Sequence, residues 1–180
     1  MQVSFTRTGE RRYRVVARRT GAPELVIEPA PGFDAHLPHD LVHFLVERHW
    51  GLREGIYGDL AAGGDAGTFR PTEGARDRRW VKKHAGLVTS GRDMDRSEAL
   101  AAAVFAAWQG HRGAVERASD YARSAAALAG VTAAELAAVM PACDEAADAW
   151  RALRTGESMT LEWPYPEGPY AQRGRMASRR

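Results

Sequence analysis

The sequence predicts an α+β domain, in which an N-terminal antiparallel sheet is joined by a C-terminal strand and packed against a layer of four to five helices. Three observations carry this. The first thirty residues alternate apolar and polar side chains, the middle of the chain repeats apolar residues at helical spacing, and residues 158–163 alternate again. The size agrees, because 180 residues with 44% hydrophobic side chains can build a real core. The expected limits are one domain over 1–165 and a basic, flexible tail over 166–180.

Each element follows from its residues. Val3 and Phe5 alternate with polar neighbours, as do Tyr13, Val15 and Ala17 with Arg12, Arg14 and Arg18, whose face is expected to be solvated. Thr8-Gly9-Glu10 between them is turn chemistry, so a hairpin is predicted. Leu25-Val26-Ile27 reads as a third strand, stopped by the Pro29 and Pro31 region. Pro38 suits a helix start and Gly51 a helix stop, which brackets a helix through HDLVHFLVERHW. Leu41, Val42, Leu45 and Val46 share its broad apolar face, with His39, His43 and Glu47 on the flank away from its centre. His49 falls nearer the apolar side, where packing is expected. A short helix follows over 54–62, then a Gly-rich polar loop over 62–77.

Ala-rich helices are predicted over 95–109 and 113–128. Thr132 with Glu135 has capping-box spacing and starts another. Pro141 lies inside that pattern, so a kink or a break is expected, with Ala147, Trp150 and Leu153 turned inward beyond it. Residues 158–163 read as a returning strand ended by Pro164, and the Pro-, Gly- and Arg-rich remainder shows no periodicity.

Composition narrows the function. Cys143 is the single cysteine, which excludes an internal disulfide framework and a multi-Cys zinc module, and its Ala-rich surroundings read it as a buried apolar residue. The longest nearly apolar run, residues 99–108, is about half of a membrane span, and the N-terminus lacks a signal-peptide segment. A soluble, cytoplasmic protein is the expectation. Lys82 and Lys83 are the only two lysines beside 23 Arg, so Arg abundance reads as a compositional habit before it reads as phosphate recognition. GGDAGT lacks the Lys-Ser/Thr ending of a phosphate loop.

Four of the six histidines lie between His36 and His49. Within that cluster, His39-Asp40-x-x-His43 is the constellation with evident chemistry. Two imidazoles four residues apart on a helix can reach one zinc or other divalent ion. Glu47 is a poor third ligand, since eight residues of helix separate it from His39 by about 12 Å. The carboxylate completing the site is expected from Glu54 or Asp59, with Asp65, His84 and His36 as further candidates. Asp40 occupies the position that Glu holds in the zinc peptidase motif, and is expected to orient a ligand or act as base. The plainer reading is a solvated or hydrogen-bonded helix flank, with Asp40 serving the helix dipole.

His39-Asp40-x-x-His43 followed by Glu54 resembles the signature of the coenzyme Q biosynthesis family, with ten residues between His43 and Glu54 where that family has eleven. The resemblance covers roughly a tenth of the chain and implies zinc held by His39, Asp40, His43 and Glu54, an isoprenoid ligand and a largely helical fold. The wider stretch LPHDLVHFLVERHWGLREGIYGDLAAGGDAGTF, with the later LEWP, resembles small proteins of actinomycetes and implies no activity.

Two functions are therefore expected in competition. One is a metal-dependent hydrolase or lyase acting on a small-molecule substrate. The other is a non-enzymatic module that binds an acidic partner or nucleic acid through basic stretches at 7–19, 70–84 and the tail, the second containing Trp80 in RRWVKKH. The Ala-rich helices also offer a face for a homodimer.

Overall fold

The computed structural model describes residues 1–72, 92–112 and 118–168. Among these residues five strands, β1 (Gln2–Gly9), β2 (Arg12–Arg18), β3 (Leu25–Ile27), β4 (Arg70–Pro71) and β5 (Ser158–Glu162), form an antiparallel sheet in the order β4-β3-β2-β1-β5. Among the described residues five helices accompany the sheet in an α+β fold: α1 (His39–Trp50), α2 (Ile56–Ala62), α3 (Arg92–His111), α4 (Ala118–Ala129) and α5 (Ala133–Ala152). No single helix among the described residues is long and apolar enough to cross a membrane.

The C-terminal strand joins the N-terminal one as the alternation predicts, with Val3 opposite Leu161 and Phe5 opposite Met159. On the other face the same register sets polar side chains against each other, Ser4 on Thr160 at 2.8 Å and Thr6 on Ser158 at 2.7 Å. Val3, Phe5, Tyr13, Val15, Ala17 and Leu25 line the covered face and are fully buried. Aromatic edges seal it to the helices. Phe44 of α1 meets Phe5 at 6.1 Å, Trp150 of α5 meets Tyr13 at 5.8 Å, and Trp163 closes on Phe44 at 5.7 Å.

Local chemistry explains the boundaries. Gly51 takes φ 69°, and its N–H donates to the Glu47 carbonyl, ending α1 where predicted. Thr132 and Glu135 form the reciprocal capping box that starts α5. The structure departs from expectation in several places. The hairpin turn falls at residues 10–11, because β1 runs through a register irregularity between Arg7 and Gly9. Pro141 does not break α5, which is continuous across it. Pro141 and Ala137, four residues before it, are both exposed, so the carbonyl released by the missing N–H lies on the solvent side. Within the stretch expected as a Gly-rich loop, Arg70–Pro71 form a two-residue strand, β4, against β3. His49 is exposed and sets its ring edge-on to Trp50 at 4.6 Å instead of entering the core.

The arginines of the N-terminal hairpin are largely engaged. Arg14 pairs with Glu28 at 3.8 Å and Arg18 with Glu24, while buried Arg19 donates to the Leu60 carbonyl at 2.8 Å. Arg7 donates to the Leu153 carbonyl at 3.0 Å and lies over the Trp150 ring. The start of the expected tail is anchored: Gly168 donates to the Ala61 carbonyl at 2.8 Å, and Glu167 accepts the Thr20 N–H at 2.8 Å. The RRWVKKH run with Trp80 and His84, the expected helix start near 113, and residues 169–180 lie outside the described residues.

Candidate metal centre

Helix α1 begins at His39, and its i, i+4 spacing stacks His43 one turn further on the same side. Helix α3 packs across that flank and buries His43 completely. Its Ser97-Glu98 pair reaches the imidazole from two sides. His43 Nδ1 lies 2.8 Å from Ser97 Oγ, while His43 Nε2 lies 3.0 Å from His39 Nε2 and 3.5 Å from Glu98 Oε2. Glu98 Oε2 is 3.8 Å from His39 Nε2. His39, His43 and Glu98 thus offer one ligand atom each, all within 4.8 Å of one another, and could hold a metal ion.

These separations match the chemistry. Two ligand atoms about 2.0–2.1 Å from one tetrahedral zinc stand roughly 3.3 Å apart. Two imidazole nitrogens 3.0 Å apart cannot present bare lone pairs to each other, so a proton or a cation must lie between them. The carboxylate beside them adds to that demand for positive charge. The His39 and Glu98 side chains remain 47% and 57% exposed, so the group is open on one side.

The tautomer of His43 follows from its other neighbour. Ser97 Oγ donates to Glu47 Oε1 at 2.7 Å, which leaves its oxygen to accept from His43 Nδ1–H. Nε2 then carries the lone pair that a metal needs, in the arrangement common among metal-bound histidines. Glu47 is itself fixed. Its carboxylate caps the N-terminus of α2, accepting from Ile56 N at 2.7 Å, Tyr57 N at 2.8 Å and Gly58 N at 3.4 Å. A Cβ at Gly55 would stand 2.5 Å from this carboxylate, so a larger residue there would push it aside.

Protonation leans the same way. Burial, and then the charge of His43, lower the pKa of His39 below its ordinary value. A hydrogen bond from His43, which needs on Nε2 a proton that a bound cation would replace, holds the Glu98 carboxyl below the usual carboxylate range. A neutral histidine and an ionised carboxylate are the forms that bind metal. Burial raises the Glu47 carboxyl, with the donors around it pulling the other way.

The other expected site residues lie elsewhere. Asp40 is buried, and its carboxylate accepts from the Tyr13 hydroxyl, which also contacts the Pro31 carbonyl. Adjacent side chains on a helix diverge by about 100°, so Asp40 turns toward the sheet where His39 turns away from it. Glu54 is exposed, and its backbone N–H donates to Asp93 at 3.0 Å. Asp59 is buried and accepts from Ala66 N at 2.8 Å, closing the loop after α2. Asp65 shapes the same loop by accepting from Gly67 N, and His36 is exposed. None of these five belongs to the His39–His43–Glu98 group. Glu98 escaped the sequence reading because fifty-four residues and the Gly-rich loop separate it from His43; its one local signal is that no acid follows it in α3.

No family model, no curated protein and no solved structure matches this chain, so the centre is read from its own geometry.

Proposed function

We propose that the chain binds one divalent ion, zinc in the first instance, through His39 Nε2, His43 Nε2 and Glu98, and acts through it on a small-molecule substrate as a hydrolase or lyase. The observation that carries this reading is the convergence of three ligand atoms within 4.8 Å on a half-exposed face. Two histidines and a carboxylate leave coordination positions for water and substrate, the donor set of catalytic zinc and also of non-haem iron. Such an ion would supply a Lewis acid and a bound water with a pKa of about 7. The protein's own part is to aim the ligands: Ser97 and Glu47 set the His43 tautomer, and Tyr13 clamps the first turn of α1 to β2 through Asp40. In this reading Asp40 is a positioning residue.

The competing reading, an acidic partner or nucleic acid held by the basic sheet, has less support because Arg7, Arg14, Arg18 and Arg19 already have protein partners. Metal analysis of protein purified without a His tag tests the proposal. Near-stoichiometric zinc, iron or manganese, lost in His43→Ala, is expected. Absence of bound metal together with failure to take up any of the three on reconstitution would sink it.

A further inference from the structure

A cavity of about 250 Å³ opens beside the centre, lined by Gly32, Phe33, Asp34, Leu37, His39 and Phe105. Its position follows from the sequence. Residues 32–37 lead directly into His39, and Phe105 lies seven residues after Glu98 on α3, on the same stripe about two turns away. The cavity therefore lies between the loop before α1 and the stripe of α3 that carries the carboxylate ligand.

Its walls are chemically one-sided. Phe33 and Phe105 are half-buried aromatics and Leu37 is fully buried. Asp34 turns its Oδ1 onto the backbone of its own loop, accepting from His36 N at 2.7 Å and Leu37 N at 2.9 Å. Gly32, at φ 66°, brings its backbone so close that a Cβ would stand 2.5 Å from His39 Cβ. The ligand imidazole is thus part of the cavity wall. The volume exceeds the roughly 150 Å³ that accommodates a benzene ring, leaving room for a ring and a short substituent.

A neighbouring cavity of about 260 Å³ shares Asp34 and adds Trp108, Arg112 and Arg151. Its two guanidinium groups are engaged by Asp144 and Asp148, so it gives an anion no unshared cation to bind.

We infer that the cavity walled by Phe33, Leu37 and Phe105 is the substrate subsite, and that it takes an uncharged aromatic ring whose attached oxygen donors reach the ion on His39, His43 and Glu98. This rests on the metal reading above and narrows its substrate class to aryl compounds with an oxygen-bearing substituent.

Hydroxamates test it, because acetohydroxamate and benzohydroxamate offer the same two oxygens and differ in the ring. Titrated into metal-loaded full-length protein, benzohydroxamate is expected to bind about 10- to 100-fold more tightly, the effect of burying one phenyl group. Phe105→Ala, at a half-exposed position away from the ligands, is expected to remove most of that preference. It should leave both the metal content and the acetohydroxamate affinity unchanged. Equal affinities for the two probes on metal-loaded protein would overturn the aryl subsite alone, as would a preference unaltered by Phe105→Ala. Protein that takes up no metal and binds neither probe would overturn the metal reading, and this inference with it.

Discussion

Glu47 and Glu98 stand on opposite sides of the same imidazole, and the fold treats them differently. Glu47 is fully buried beyond the Nδ1 side of His43, and Ser97 together with the backbone of residues 56–58 directs four donors at its two oxygens. Glu98 lies on the Nε2 side with its side chain 57% exposed, close to two imidazole nitrogens. Both carboxylates come from the α1/α3 pair. A carboxylate whose acceptor sites are filled by the chain's own donors is committed to architecture, whereas one facing nitrogen lone pairs still asks for a cation. Saturation, more than residue type or helical spacing, separates the support from the candidate ligand.

Paired substitutions test that distinction. Glu98→Gln is expected to have the largest effect, lowering zinc affinity by more than about 100-fold, the upper end for loss of a ligand's outer partner. The fold should persist because the side chain is largely exposed; competition with a zinc-responsive chelator measures the affinity. Unchanged affinity would remove Glu98 from the centre.

Ser97→Ala comes next. It removes the acceptor that fixes His43 Nδ1–H, and zinc affinity should fall by about 10- to 100-fold. Full retention of affinity would show that the Glu47–Ser97–His43 chain does not set the ligand's tautomer.

Glu47→Gln should act on stability first. An amide nitrogen would face N–H donors that now meet a carboxylate oxygen, at a cost of about 1–3 kcal/mol in denaturant unfolding. The pH dependence has a definite sign. Burial raises the Glu47 carboxyl above its ordinary value of 4.5, so the native state keeps a proton that the unfolded state has released. Its contribution to stability is fully present below pH 4.5 and declines as pH rises through the raised value. In metal-free protein Glu47→Gln should remove that decline; an identical pH slope in both proteins would refute the assignment.

The smallest effect is expected at Cys143, which is buried and has its thiol pushed up to about 12 by that burial. Native protein should resist thiol reagents at pH 8 and react once unfolded. Reaction at full rate in the native state would mean that α5 opens readily.

The same principle separates what was legible in the sequence from what was not. Alternation placed β1, β2 and β5, and Pro38, Gly51 and the Thr132/Glu135 pair marked helix ends, because these depend on neighbours within a few residues. The His39–His43 pair was legible for that reason too, since an i, i+4 contact is a property of the helix alone. Glu54 and Asp59 were drawn in by closeness in sequence, but Asp59 is occupied by its own loop and Glu54 remains outside the group. Pro141 does not divide α5, because an exposed helix face tolerates a lost hydrogen bond that a buried one would not.

By itself, then, the sequence determined an α+β domain with a returning C-terminal strand and a helix carrying two imidazoles one turn apart. Tertiary structure decided which side of that helix was covered. Packing α3 across α1 turned an apparently peripheral flank into a buried one and brought Ser97 and Glu98 to the two nitrogens of His43, while Ser97 and the first turn of α2 together saturated Glu47. The physical reason is that periodicity reports how side chains are arranged around one helix. The element that covers each side, and the donors it brings, are set by contacts between segments far apart in the chain.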